Sequence, residues 1–499
     1  MRITKITLRN FRAFYGEHIF ETNGNIVFLV GENNTGKSTI FKAIDFLSNG
    51  PEGGTKNNRS EALDKVRSKT AAATDSVEVE AVIKGSISNV IDEFSDEKYS
   101  KYIYQEAGEE TIRILRSSKN EEYGNGKDLH KMTIENIRVW NEHEKRFENP
   151  SGPDDVFKNL FSPQFIWADT HLDEVADFGT TKICGKLLGN IFKSFRKSPT
   201  WVAFQDAHTK TFHNGKDSLG EQAKELEEKI RTTLSENYGA INEVSFKFNP
   251  PSTDSYFKDA NILVDDGIKT AIEEKGSGMQ RSMVLALLQI YADKLAEHPD
   301  AEDKKRPQLF FIDEPEISLH PRGIENLMKA LKKISKDQQI FITTHSDYLL
   351  RWFGQKKDQL LIFSRKGSTS ISHKVAGNLD LFPWSPSWGE ITFKAFGVAT
   401  RELHDELFGE IQCRTGKWEN KEMDDYLGIK LKKDCSWIQE VKGTSKPPFN
   451  CTLPLYIRNH IHHPENKQNK EFSDSDLHTS IIALIDILST LPPKQESND

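Results

Sequence analysis

The chain has 499 residues, 36% of them hydrophobic and 28% charged, with a formal net charge of −8 at pH 7. That length accommodates more than one domain with a substantial core, and the acidic balance gives no support to an overall nucleic-acid-binding surface, although a local basic patch remains compatible with it. No apolar run approaches a membrane span, the longest lying near Met283 to Leu288. The N-terminus enters an alternating strand directly, without a signal-peptide pattern, and Cys184, Cys413, Cys435 and Cys451 lack C-x-x-C spacing, so a cytoplasmic protein with reduced thiols and no membrane partner is expected.

In chain order, residues 1–22 read as two strands, with Ile6 and Leu8 alternating against polar neighbours and His18 to Phe20 preceding a turn at Asn23-Gly24. Ile26 to Val30 is a short apolar run that reads as a buried strand. It leads into Gly31-Glu32-Asn33-Asn34-Thr35-Gly36-Lys37-Ser38-Thr39, which fits G-x-x-x-x-G-K-[ST]. Ile40, Phe41, Ile44 and Leu47 then return at helical spacing, and Gly50 supplies a stop. Strand, glycine loop and helix form the geometry a phosphate needs. Backbone N–H groups and the helix N-terminus converge on the anion, Lys37 reaches the β/γ oxygens, and the Ser38 hydroxyl is placed for Mg²⁺. A nucleoside triphosphate is the expected ligand.

Residues 50–73 are polar and rich in Gly, Asn and Lys, and read as a surface insertion. Val77, Val79 and Ala81 keep a period of two, repeated at Ile112 with Ile114 and at Met132 with Ile134, which predicts antiparallel strands beside the nucleotide site. Residues 217–234 predict a charged helix with Leu219, Ala223, Leu226 and Ile230 on one face. The run Glu274-Lys275-Gly276-Ser277-Gly278-Met279-Gln280-Arg281-Ser282 places glycines before a helix with Val284, Leu287, Leu288 and Tyr291 on one face, a second arrangement of N–H donors suited to a phosphate. Leu309 to Ile312 is an apolar strand ending in Asp313-Glu314-Pro315. An acid at a strand end beside a P-loop can hold Mg²⁺, and a second acid can take a proton from water. Gln339 to Thr344 is another buried strand, ending in His345, where a γ-phosphate contact is within reach.

Trp384 to Gly389 reads as a linker, followed by helical patterns at Phe393 to Gln412 and Leu477 to Leu488. Between them stands Tyr456-Ile457-Arg458-Asn459-His460-Ile461-His462-His463-Pro464, whose Arg-Asn-x-x-x-His spacing resembles the HEPN ribonuclease motif. Three readings stay open: RNA cleavage through Arg458 and His463, metal binding by His460, His462 and His463, and a structural cluster that packs the module.

P-loop, glycine signature before a helix, Asp-Glu after a strand, and strand-end histidine together resemble an ABC-type ATPase head, similar to the SMC, RecF and overcoming-lysogenization-defect (OLD) group. Ile6 to Phe14 and Asp313-Glu314-Pro315-Glu316-Ile317-Ser318-Leu319-His320-Pro321 resemble the same group. About 270 residues without heptads separate the P-loop from Asp313, which argues against a long coiled-coil arm. The resemblance extends to ATPase subunits of bacterial anti-phage systems of the Septu, Gabija, PARIS and AbiL type. The expected fold is α/β: a P-loop ABC-type head with an antiparallel β subdomain over 1–370, a helical insertion around 150–240, and a mainly helical C-terminal module over 375–499.

The resemblance implies ATP and Mg²⁺ as ligands, with Gly31, Asn33, Asn34, Thr35, Gly36, Lys37, Ser38 and Thr39 around the phosphates and Ser38 and Asp313 toward the metal. It implies Glu314 as general base, His345 as γ-phosphate sensor, and Ser277, Gly278 and Gln280 acting in trans on a partner subunit's ATP, hence a homodimer or higher homo-oligomer. Gly276 and Met279 depart from the family's Leu-Ser-Gly-Gly-Gln signature, so slow turnover is expected. Gln164 is the candidate for the family's glutamine between P-loop and signature. OLD nucleases append a Toprim domain; no matching strand-Glu pattern follows His345, and Asp474-Ser475-Asp476 sits where acids cap a helix. A separate nuclease or toxin subunit is therefore the expected partner, with a phage protein or nucleic acid as trigger.

Overall fold

The computed structural model describes residues 1–51, 59–89, 97–124, 129–149, 162–167, 195, 198–214, 218–248, 262–280, 282–284, 286–287, 290, 308–317, 319–354, 357–366, 370–375, 381–441 and 444–492. The chain divides into two compact units, Met1–Trp167 with Glu302–Glu316 and Ile334–Asp499, and Ala168–Ala301 with Ile317–Lys333. Cys184, Arg281, Leu288, Tyr291, Ser318 and much of the expected insertion at 150–240 lie outside the described residues.

In the first unit the N-terminal alternation becomes strand Arg2–Phe11, hairpinned to Phe14–Glu21. Glu78–Lys84 pairs antiparallel on its other side, setting Ile6 opposite Ala81 and Leu8 opposite Val79, so the small and branched side chains share the buried face. Glu109–Ser117, Arg138–Asn141 and Arg146–Glu148 extend this sheet. The strand expected around Met132 and Ile134 is corrected here. His130–Met132 pairs with Glu121–Tyr123 in a separate ribbon, and Arg138–Asn141, with buried Val139, takes the place in the sheet. Of the expected surface insertion, residues 59–66 form a helix, Arg59–Val66, docked through Arg12 N–H to the Val66 carbonyl at 2.7 Å.

The second sheet has the order Ser162–Ile166, Gln308–Asp313, Gln339–Thr344, Ile26–Gly31, Gln359–Lys366, Ser370–Val375. The first five strands run parallel and the last is antiparallel. Near-continuous apolar runs suit such strands, because a parallel sheet is covered on both faces; Ile26–Gly31 is buried at every position. Parallel pairing brings the ends of Ile26–Gly31, Gln308–Asp313 and Gln339–Thr344 to one edge of the sheet, where ligands of α/β folds bind. One core joins both sheets to the first helix, Lys37–Asn49, through Leu8, Phe41, Ile44, Val79, Phe311 and Phe341. Buried Gln339 ties the sheets together: its Oε1 accepts from Ile3 N–H at 2.8 Å, and its Nε2 donates to the carbonyls of Ile3 and Thr22 at 3.0 and 2.9 Å.

The C-terminal helices build a separate core from Leu403, Leu407, Ile411, Leu455, Ile481 and Leu484. Two expectations change here. The single helical pattern at Phe393 to Gln412 is two helices, Trp388–Phe396 and Arg401–Thr415, because Gly397 turns left-handed (φ 68°) and ends the first. The stretch read as a linker closes as a capping box, with Ser387 and Glu390 exchanging side-chain and backbone hydrogen bonds. Asp476 is likewise spent in a capping box with Ser473, in line with its reading as a cap.

In the second unit, Leu219–Tyr238 is helical with Ser218 as N-cap; Asp217 lies outside the described residues. None of its residues is buried, and Leu226 of the expected apolar face is 52% exposed. Among the described residues no helix is long and apolar enough to cross a membrane.

Candidate functional site

The phosphate loop leaves the strand at Gly31, whose φ of 148° and 2.2 Å clearance from an added Cβ to the Phe363 carbonyl oxygen admit no side chain. Gly36 closes the loop at φ 90°, with Phe14 packed against it, and Lys37 opens the helix. Between them Asn34 is left-handed at φ 61°, Asn33 is exposed, Thr35 is buried with its hydroxyl on the Glu32 carbonyl at 2.7 Å, and Thr39 N–H donates to Gly36 O at 3.1 Å. Lys37 folds its ammonium into the loop, donating to the carbonyls of Gly31 at 2.9 Å and Glu32 at 2.8 Å. Burial pulls its pKa down to about 8, against the opposing pull of Glu314, Asp313 and Glu316.

Those carboxylates all arrive from the end of strand Gln308–Asp313, one strand removed from the phosphate-loop strand. The Ser38 hydroxyl donates to Asp313 Oδ1 at 2.9 Å, and Thr343, on the strand between, donates to the same oxygen. Glu314 takes a left-handed φ of 45°, held by its N–H on the Thr343 carbonyl (3.1 Å) and hydroxyl (3.0 Å). This bend turns the chain out of the strand and sets Glu314 Oε1 3.2 Å from His345 Nε2. Burial, then the charge of Lys37, lowers the His345 pKa, so the imidazole favours its neutral form. Lys37 and Ser38 at the helix start thus meet Asp313, Glu314 and His345 from the strand ends at one edge of the sheet. Ser38 and Asp313 form an all-oxygen pair of the kind a hard divalent cation prefers, so the donor set fits Mg²⁺.

Three contributors escaped the sequence reading. Thr343 and Thr344 look like ordinary β-branched strand residues, yet the first holds Asp313 and Glu314, and the second donates to Glu316 at 2.6 Å. Glu316 accepts from three groups at the turn that carries His345. The available signal was polarity: two threonines ending an otherwise apolar strand, and a third acid two residues after the Asp-Glu pair.

Gln164 lies within strand Ser162–Ile166, paired with Phe310 beside the Asp313 strand. Ser277, Gly278 and Gln280 lie in the second unit, on the first turn of a helix, and Gln280 Nε2 donates to the carbonyls of Glu273 and Lys275, both at 2.9 Å.

A profile described as the AAA ATPase domain matches residues 1–350. The chain belongs to this AAA ATPase family. It is 27% identical to the Old nuclease of Escherichia phage P2 over 369 residues, which is 70% of this chain and 57% of that protein. Among solved structures it is similar to an SMC head bound to the C-winged helix domain of ScpA (14% identity, TM-score 0.40, 75% of this chain and 98% of that one). It is also similar to the SMC head domain from Thermotoga maritima (15% identity, TM-score 0.34, 75% and 99%). The chain spans little more than half the length of the Old nuclease it matches.

On the C-terminal module, Arg458 and His463 do not come together. Helix Leu453–His462 ends at His463, which turns to Glu465 (3.2 Å) and lines a cavity of about 530 Å³ with Asp424, Lys433, Trp437 and Asn459. Arg458 instead stacks on Phe408 at 5.1 Å, and it is His462, one turn on, whose Nε2 meets Asp405 at 3.5 Å. His460 packs its ring against Trp437 and Tyr456. The three histidines therefore diverge, and among the described residues no group of three His, Cys, Asp or Glu side chains is placed to hold a metal.

Proposed function

We propose that this AAA ATPase is an ATP-hydrolysing switch subunit of a bacterial anti-phage complex, acting in the cytoplasm as sensor and scaffold for a separate nuclease. The observation that supports it most is the meeting of Ser38 with Asp313 at 2.9 Å and of Glu314 with His345 at 3.2 Å. Lys37 and the loop N–H groups bind and orient the triphosphate, and its anionic oxygens replace the loop carbonyls as partners of the ammonium. Ser38 and Asp313 would hold Mg²⁺, which when bound neutralises developing phosphate charge. Glu314 takes the proton from the attacking water as its oxygen bonds to the γ-phosphorus and the bond to the β-phosphate oxygen breaks. His345 orients Glu314 and senses the γ-phosphate. ATP binding closes two copies with Ser277 and Gly278 in trans, and hydrolysis releases them.

Asp476 is occupied as a helix cap, which favours a nuclease carried by another subunit. The deciding experiment expresses the chain with its neighbouring gene product, measures phage plaquing, and captures co-purifying protein. Protection and a captured nuclease, both abolished by Lys37→Ala, are expected. Protection unaffected by Lys37→Ala would reject the switch.

A second reading, an ATP-gated ribonuclease within this chain, is favoured by Arg458. Its guanidinium is half-buried and makes no hydrogen bond or ion pair among the described residues, while Asp405 Oδ1 is buried without a hydrogen bond, the His404 ring lying 3.9 Å away. Unspent donors beside an Asp405–His462 pair suit a phosphodiester.

A further inference from the structure

Glu316 lies two residues beyond Glu314 and has no part in the hydrolytic roles assigned above. A single oxygen, Oε1, accepts three hydrogen bonds: from the Thr344 hydroxyl at 2.6 Å, from the His345 N–H at 2.9 Å and from the Ser346 N–H at 3.1 Å. The other oxygen, Oε2, is buried with no partner. Burying a carboxylate half-satisfied costs free energy, and here the charge of Glu314 adds to that cost. A serine or asparagine could close the same turn with no buried charge. The carboxylate does what a local cap cannot. It belongs to the Asp313–Glu316 segment yet grips the consecutive amides that carry His345, so the loop bearing the base and the loop bearing the histidine are fastened to each other. Thr343 makes the reverse link, donating its hydroxyl to Asp313 while its carbonyl accepts the Glu314 N–H at 3.1 Å.

We propose that Glu316 is a positioning residue for ATP hydrolysis: its carboxylate clamps the turn after strand Gln339–Thr344 so that His345 presents Nε2 to Glu314. The clamp acts through the turn that carries His345. It rests on the reading of Glu314 and His345 as the hydrolytic pair, and charge-assisted bonds to two successive amides are strong enough to fix the backbone there.

The test is steady-state ATP turnover, with nucleotide affinity measured separately, in E316A, E316Q, E316D, H345A and the E316A/H345A double variant. E316A should lower kcat by about 10–100-fold, the usual scale for removing a group that orients a catalytic one, with KM for ATP within about threefold of wild type. E316Q keeps an acceptor oxygen at the same reach and should restore most of the rate. E316D keeps the charge but withdraws the oxygen and should stay slow, which preserves the test if E316A fails to fold. The double variant should be no slower than H345A, since residues acting through one another are not additive. A normal rate in E316D and E316A beside a slow H345A would overturn the clamp alone, as would additive losses in the double variant. A normal rate in H345A would overturn the hydrolytic pair, and the clamp with it.

Discussion

Lys37 holds its ammonium on two loop carbonyls in a setting that lowers its pKa, an arrangement that favours exchange of those carbonyls for phosphate oxygens. Lys37→Ala removes the one basic side chain of the loop and should abolish ATP binding, read by nucleotide fluorescence titration; undiminished affinity would remove the site. Glu314→Gln keeps shape and hydrogen bonding but not the base. It should retain ATP while slowing hydrolysis by about 10²–10⁴-fold, and should accumulate the closed oligomer in gel filtration with ATP. Unchanged turnover would mean that Glu314 is not the base. These residues were legible because Lys37 stands in a glycine loop between an apolar strand and a helix and Glu314 directly follows an apolar strand, where polarity is conspicuous. Glu316 was marked only as a third acid after the Asp-Glu pair, and its reach to a turn 29 residues away is not written in the local sequence. His463 was the converse case. Spacing along the chain suggested it as the partner of Arg458, but the helix ends there, and His462 at the helical repeat of four is the histidine near Asp405.

Helix Lys37–Asn49 illustrates the same limit at the scale of elements. Its start and its apolar face could be read directly, and Gly50 ends it as expected. What holds its C-terminal end could not. Arg116, buried on strand Glu109–Ser117, donates Nε to the Leu47 carbonyl at 3.0 Å and Nη2 to the Ser48 carbonyl at 3.3 Å, placing a cation where the helix dipole is negative. Arg116→Met should lower stability by about 2–3 kcal/mol, because two helix-end carbonyls lose a charged donor inside the core. A shifted urea midpoint with an unshifted slope would show it, and a midpoint within error of wild type would refute the cap. Strand periodicity was likewise readable for Glu78–Lys84 and Glu109–Ser117, but pairing was not. Met132 alternates as well as Val139 does, and only the register against Ile114 selects Val139 for the sheet. Gly397 could be seen in the sequence, yet a glycine alone does not say whether a helix runs through it or ends at it, so one helical pattern was read where two helices stand.

For the whole molecule, the first unit combines the N-terminal sheets with residues 334–499, because strands Gln339–Thr344 and Gln359–Lys366 flank the phosphate-loop strand and Trp388 Nε1 donates to the Asp347 carbonyl at 2.9 Å. The C-terminal module is therefore physically attached to the loop that follows His345. Whether that module cuts RNA or receives a partner is decided by incubating purified protein with total RNA and tRNA, with ATP, with and without EDTA. If the catalysis belongs to another subunit, no cleavage appears in any nucleotide state, and Arg458→Ala and His462→Ala affect only stability or partner capture. If the module is the nuclease, RNA is cut in EDTA, since a guanidinium can stabilise the phosphorane charge and an imidazole can move the 2′-hydroxyl proton without a metal. Both substitutions would then abolish cutting while ATP turnover continues, and His463→Ala, on the other side of the helix end, would leave it intact. The same measurements repeated on protein purified from phage-infected cells cover a trigger that is absent from uninfected ones. We expect no cutting in either preparation; metal-independent cleavage lost in Arg458→Ala would transfer the effector role to this chain.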